Sequence, residues 1–283
     1  MSARPIRELH YRFASAAGGQ RPGHHRSRGG NSGFEFRAHA LLQDAPDARR
    51  IDLQASLRDP FGNWIVRLHS QRRAIAVAMV ADLSASMAFA GSAPKQDVLA
   101  DFADSLAWSA WRTGDSFAFV GCDERVRPEF LLAPTRGRGA AMALTQSLRA
   151  AALQGRSARA LREAHRHLPQ RRSLVFMLSD FHLPLAELGA ALDSLALHDV
   201  VPVVLWQASE FALSPRFGLA QVQEPESGRR QWLWWRPALR RRWLAAREAR
   251  REALLQLFAA RRLVPLFIEG AFDADAVTRH FRA

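Results

Sequence analysis

Eight consecutive residues, Ala74 to Ala81 (AIAVAMVA), carry no polar side chain, and the residue that follows is Asp82. A strand with one face in water alternates apolar and polar side chains. A strand apolar on both faces has to be covered on both, which is the condition of a central strand in a parallel sheet held between two helical layers. A second run of the same texture, SLVFMLSDF (residues 173–181), also ends on an acid, Asp180. Helical and strand patterns alternate around these two runs. The spacing predicts a helix from Pro94 to Gly114: Pro94 suits a first turn, Asp97 its positive dipole end and Gly114 the stop, with Val98, Phe102, Leu106 and Ala110 forming one apolar stripe. A strand over 115–123 follows, then VRPEFLL as its hairpin partner at the sheet edge, where Pro128 is tolerated. Helices are expected over 139–153, 158–168 and 184–199, and a strand over 200–206. Residues 219–235 read as a hairpin turning at 226–228, followed by a helix from Pro237 to Arg261 and a last strand over 263–269. Such alternation predicts an α/β fold with a mostly parallel central sheet, helices on both faces and one antiparallel edge strand.

Upstream of Ala74 the texture differs. Residues 15–33 are rich in Gly, Ser and Arg, and NWIVRLHS (63–70) is a candidate strand. The expected division is a basic N-terminal extension over 1–73, packed on a core of residues 74–283. Of the 283 residues 48% are hydrophobic, enough for a substantial core, and no apolar run approaches the roughly 20 residues a membrane-spanning helix needs. Residues 1–20 contain Arg4, Arg7 and Arg12 but no apolar stretch of the kind a secretory signal has. Cys122 is the only cysteine, which excludes an internal disulfide and a cysteine-built metal site. A cytoplasmic protein is the expectation. The formal charge of +13 invites a nucleic-acid reading. However, Lys95 is the only lysine. Heavy Arg, Ala and Leu use with so little Lys is also what a GC-rich coding sequence produces, so the charge counts for little here.

Ligands of open α/β sheets bind beyond the carboxyl ends of the strands, where Asp82 and Asp180 both fall. Two carboxylates brought together need a cation or a proton to compensate them. Ser84 and Ser86 add hydroxyl oxygens on the turn after the first strand. Oxygen donors without His or Cys describe a site for a hard cation, Mg²⁺ or Mn²⁺.

The stretch Asp82-Leu83-Ser84-Ala85-Ser86 resembles the D-x-S-x-S motif of von Willebrand factor A domains, whose metal-ion-dependent adhesion site adds a threonine from a later loop and an aspartate at a later strand end. The resemblance implies Asp180 as that aspartate and offers Thr135, in LAPTRGRG, as that threonine. His182, Arg136 and Arg138 become the expected partner-binding residues around it. The flanking sequence is similar to the bacterial family called domain of unknown function 58. ARRIDLQASLRDP (48–60) matches its R-x-I-D-W-x-x-S-A-R segment, and GHHRS, GFEF, HDV and EPESG echo further segments in order. Leu53 stands where the family has tryptophan. What the family resemblance implies is a non-catalytic adapter whose bound metal keeps one position open for an acidic residue of a partner. It also implies work beside a MoxR-type AAA+ ATPase in chaperone-like maturation of a client protein.

Two other classes compete. A haloacid-dehalogenase-type hydrolase needs a second acid two residues after the first, where this chain has Ser84. A triad of Ser84, His182 and Asp180 lacks the strained G-x-S-x-G elbow. A nucleic-acid binder would use Trp232, Trp234 and Trp235 with the arginines of the long helix. In that helix Leu239, Trp243, Ala246, Ala253 and Leu257 are expected to face the core. Arg240, Arg241, Arg247, Arg250 and Arg251 are then expected to face water, or to dock on an acidic ATPase or in peripheral contact with a lipid headgroup plane.

Overall fold

The computed structural model describes residues 6–13, 22–26, 35–70, 72–210, 218–223 and 230–282. They form two compact units, one of residues 1–12 with 76–283 and one of Phe13–Ile75. Residues 6–12, expected as part of the extension, thus run with the larger unit: the Leu9 N–H donates to Ser109 Oγ at 2.9 Å and the His10 N–H to Thr278 Oγ1 at 3.0 Å.

The larger unit is built on six strands: β1 (Ala76–Asp82), β2 (Ser116–Cys122), β3 (Val126–Thr135), β4 (Leu174–Ser179), β5 (Asp199–Leu205) and β6 (Leu266–Ile268). Their order across the sheet is β6-β5-β4-β1-β2-β3. All pair in parallel except β3, which runs antiparallel to β2 at the edge. The two uninterrupted apolar runs are β1 and β4, adjacent at the centre, and every residue of both is buried. Ala81 lies opposite Leu178. The register therefore brings Asp82 and the residues after Leu178 to one edge of the sheet. The strand order also reverses here, since the chain leaves β1 for β2 on one side and returns to β4 on the other.

Helices α1 (Lys95–Thr113), α2 (Arg138–Ala150), α3 (Leu185–Ser194), α4 (Pro237–Ala259) and α5 (Ala274–His280) connect and flank the strands. In α1 the stripe Val98, Phe102, Leu106 and Ala110 is buried, and Gly114 closes the helix at φ 73°, a left-handed turn that favours glycine. Phe102 meets Phe176 edge-on at 5.3 Å. Alternate residues of the strands, Ala78, Val80, Val175 and Met177 among them, share a second core with Leu188 and Leu192 of α3 and Leu254 and Phe258 of α4. Residues 159–167, expected as an α-helix, wind as a 3₁₀ helix that buries Ala160, Leu161 and Ala164.

Helix α4 departs from its expected faces. Its fully buried residues are Leu254 and Phe258; of the expected stripe Leu239, Trp243, Ala253 and Leu257 are half-buried, Leu257 against the core, and Ala246 is exposed. Arg247, Arg250 and Arg251 are half-buried. The Arg247 guanidinium lies 5.9 Å from the Trp206 ring and that of Arg251 5.0 Å from Phe267. An arginine stem covers apolar surface while its planar head stacks on an aromatic face, so an arginine-rich stripe here forms part of the packed face. The hairpin pairs Gly218–Gln223 with Arg230–Trp235, and its expected turn lies outside the described residues. Trp232 and Trp234 are exposed. Among the described residues no helix is long and apolar enough to cross a membrane.

The smaller unit is built around an antiparallel pair of strands, Glu35–Leu41 with Ile65–Ser70, and a short helix, Leu53–Leu57. Asp52 caps that helix, accepting from the Ala55 N–H at 3.1 Å, and also takes Arg67 Nε at 2.7 Å. Its carboxyl is held well below the ordinary range by the Arg67 hydrogen bond first, then by the Ala55 N–H and His39.

Candidate metal centre at the strand ends

The turn after β1 is organised by the Asp82 side chain. Its Oδ1 accepts the Ser84 N–H at 2.9 Å, which folds the chain back so that the Ser84 and Ser86 hydroxyls stand 3.2 Å apart. Its Oδ2 accepts the hydroxyl of Ser179, the last residue of β4, at 2.6 Å. Ser179 Oγ in turn accepts the Phe181 N–H at 2.8 Å, and Asp180 Oδ1 accepts the His182 N–H at 3.3 Å. Asp82, Ser84, Ser86, Ser179 and Asp180 are all buried. The structure therefore brings together four of the five residues expected to hold a cation: Asp82, Ser84, Ser86 and Asp180.

The two acids sit in different electrical surroundings. Both partners of Asp82 are neutral donors. Burial, and then the nearby Asp180, push its carboxyl up from the ordinary carboxylate range to about 7. Burial also pushes Asp180 up, but Lys95, then His182, and a hydrogen bond from Ser86 outweigh it and hold Asp180 below its usual value. Lys95 opens α1, is fully buried, and donates to Asp180 Oδ2 at 2.9 Å; it also ion-pairs with Glu210. Glu210 lies beyond β5 and is anchored by the Gln207 N–H at 2.8 Å. Ligand atoms of Asp180, His182 and Glu210 lie within 4.8 Å of one another. That group contains the Lys95 charge, whereas Asp82 has no comparable partner.

The loop carrying Asp180 and His182 is strained and clamped. Phe181 has φ 52°, unusual for a bulky residue. Its ring packs against Phe258 at 5.6 Å, and Arg250 donates to the carbonyls of Phe181 and Leu183. Trp206 Nε1 donates to the Asp180 carbonyl at 2.8 Å, and the exposed His182 ring lies parallel to the Trp206 ring, centroids 6.1 Å apart.

Thr135, Arg136 and Arg138 lie elsewhere. Thr135 ends β3 opposite Phe117, which pairs with Val77 at the start of β1. Five residues of strand, on the order of 16 Å, separate that level from Asp82. Because β3 is antiparallel, the loop after it opens at the amino-terminal edge of its neighbours. There the Thr135 hydroxyl accepts the Gly137 N–H at 2.9 Å, Arg136 Nε donates to the Gly114 carbonyl at 2.9 Å, and Arg138 stacks on Trp108 at 4.3 Å. The segment that does reach the site follows α2. Gly155 bridges to Ser84, and its carbonyl accepts the Ala85 N–H at 2.7 Å. A Cβ on Gly155 would stand 2.4 Å from Asp123 Cβ, so only glycine permits this approach. The sequence reading missed Lys95, Ser179, Glu210 and the Gly155 segment. The signal available for the last was topological: a helix that follows an antiparallel edge strand carries the chain back to the carboxyl edge.

The donors fit a divalent cation. They are all oxygens, two are carboxylates, and one of those carboxylates is buried beside neutral partners only. Asp82, Ser84, Ser86 and Asp180 would hold it, and a bound ion would supply a Lewis-acidic charge at the sheet edge. A central parallel sheet in this strand order with one antiparallel edge strand is a von Willebrand factor A-like fold. Residues 42–253 match the family described as "Protein of unknown function DUF58".

The chain belongs to this family. A relative from Paracoccus denitrificans, described as "Uncharacterized protein in moxR 3'region", is 42% identical over 101 residues, covering 36% of this chain and 96% of the relative. Among solved structures, the conserved hypothetical protein BatB from Bacteroides thetaiotaomicron is similar at 13% identity and a TM-score of 0.47, over 74% of this chain and 96% of BatB. Proximal thread matrix protein 1 from the mussel byssus, solved with a zinc-occupied MIDAS motif, is similar at 14% identity and a TM-score of 0.35, over 47% of this chain and 38% of its own.

Proposed function

We propose that this DUF58 protein is a non-catalytic, metal-dependent adapter in the cytoplasm. It binds a divalent cation, Mg²⁺ or Mn²⁺, through Asp82, Ser84, Ser86 and Asp180 and offers that cation to an acidic side chain of a protein partner. The observation that carries this reading is the state of Asp82: a buried carboxylate at a topological switch point, beside two hydroxyls and a second acid, with only neutral hydrogen-bond donors of its own. Few charged ligands leave a bound ion electrophilic enough to accept one more carboxylate. The moxR-linked relative supports a MoxR-type AAA+ ATPase as the partner, in chaperone-like maturation of a client complex. No step in this reading needs a nucleophile or a general acid, and among the described residues the Ser84 hydroxyl is 3.2 Å from the Ser86 hydroxyl rather than bonded to a base.

The test is capture of the ATPase by the immobilised full chain with Mg²⁺ or with chelator, using wild type and Asp82→Ala. Capture that requires both the ion and Asp82 supports the adapter. Capture indifferent to both would remove the metal from the interaction, and salt-sensitive nucleic-acid binding indifferent to Asp82→Ala would favour the basic-surface alternative.

A further inference from the structure

The smaller unit contains a loop whose polarity is inverted. Residues 52–65 close on themselves: the Asp52 N–H donates to the Ile65 carbonyl at 2.8 Å, and the Ile65 N–H donates to Ser56 Oγ at 2.8 Å. Within the loop Asp59 Oδ2 accepts the Phe61 and Asn63 N–H groups at 3.2 and 2.8 Å and the Asn63 amide at 3.1 Å. The side chains of Asp52, Ser56, Asp59 and Asn63 are thus hydrogen-bonded within the unit, while Gln54 and Arg58 are exposed. The loop's large apolar side chains face outward: Leu57 is 87% exposed, Phe61 85%, Leu53 63% and Trp64 55%. Soluble surfaces scatter such residues singly, and four within twelve positions on a hydrogen-bonded loop mark a binding surface.

We propose that this loop inserts into the interfacial layer of an anionic lipid bilayer. Leu and Phe at the tip match the acyl boundary, and Trp64 closer to the neck matches the headgroup level, where indole rings concentrate. Arg58 in the loop and Arg49 just before its neck are exposed and carry the positive charge that lipid phosphates would meet. Residues 13–75 carry ten arginines against five acidic residues. Two of those five, Asp47 and Asp52, already pair with Arg50 and Arg67. Asp59 and Asn63, which lie between Leu57 and Trp64, are hydrogen-bonded within the loop, so bringing that stretch to the headgroup layer leaves neither without a partner.

The full chain is tested by co-sedimentation with phosphatidylcholine vesicles, with and without phosphatidylglycerol. The wild type is expected to bind the phosphatidylglycerol vesicles, and the double variant L57D/F61D, altered only at exposed positions, to lose about tenfold or more of that binding. Asp82→Ala should bind vesicles like wild type, which separates this outcome from the fate of the adapter reading. Undiminished binding by L57D/F61D, binding indifferent to phosphatidylglycerol, or no vesicle binding would overturn the proposal. So would a concentration-dependent dimer that L57D/F61D abolishes, seen by sedimentation equilibrium without lipid, since the loop would then bind a second copy of this chain.

Discussion

The carboxyl ends of β1 and β4 lie side by side, each delivers a buried aspartate, and the two aspartates differ in what neutralises them. Asp180 has a permanent counter-ion in Lys95, planted at the first residue of α1. Asp82 has a backbone N–H and a serine hydroxyl. One end of the pair is therefore complete within the chain, and the other is balanced only by a proton or an added cation. Lys95 is also the only lysine among forty basic residues. An ammonium gathers its donors on one small atom and can face Asp180 and Glu210 together, whereas a planar guanidinium needs more room and a fixed fork.

The largest effect should come from removing the counter-ion. Lys95→Met leaves the buried Asp180 and the half-buried Glu210 without it, and urea unfolding should show a loss of about 3–5 kcal/mol. Lys95→Arg should fall short of wild type. Unchanged stability in Lys95→Met would mean that the two acids do not differ as described.

A divalent ion should act on the other side of the pair. At about a hundred times its Kd, Mn²⁺ should stabilise the wild type by about 2.7 kcal/mol, read as a rise in Tm, and should leave Asp82→Ala unmoved. A similar rise in both proteins would place the ion elsewhere.

The third effect is smaller and depends on pH. A carboxyl raised to about 7 when folded, from about 4 when unfolded, binds more protons in the folded state across that interval. Its contribution to stability is fully present below pH 4 and is lost as pH rises through 7. Asp82→Asn should remove that downward slope in metal-free protein, and equal slopes in the two proteins would locate the proton on another group. The smallest effect should come from Thr135→Val, whose Mn²⁺ midpoint is expected to match wild type, because Thr135 belongs to the opposite edge of the sheet.

Much of this was legible along the chain. The runs ending in Asp82 and Asp180 announce central strands because only a two-sided core tolerates eight apolar residues in a row, and their acidic ends mark the site. The stripe of α1 and the break at Gly114 follow from helical periodicity and the left-handed freedom of glycine. Arg247, Arg250 and Arg251 were misplaced because a charge pattern cannot show that a guanidinium will lie against Trp206 or clamp the loop at Phe181.

By itself, then, the sequence determined the kind of sheet, its two central strands and the residues at their ends, since periodicity and burial are local consequences of the order of side chains. Only the tertiary structure decided which neutral and charged groups complete the site. Lys95, Glu210 and Gly155 come from segments distant in sequence, and Thr135 is excluded by the antiparallel direction of β3. Direction and register are properties of strand pairing between segments, and no single stretch of sequence contains them.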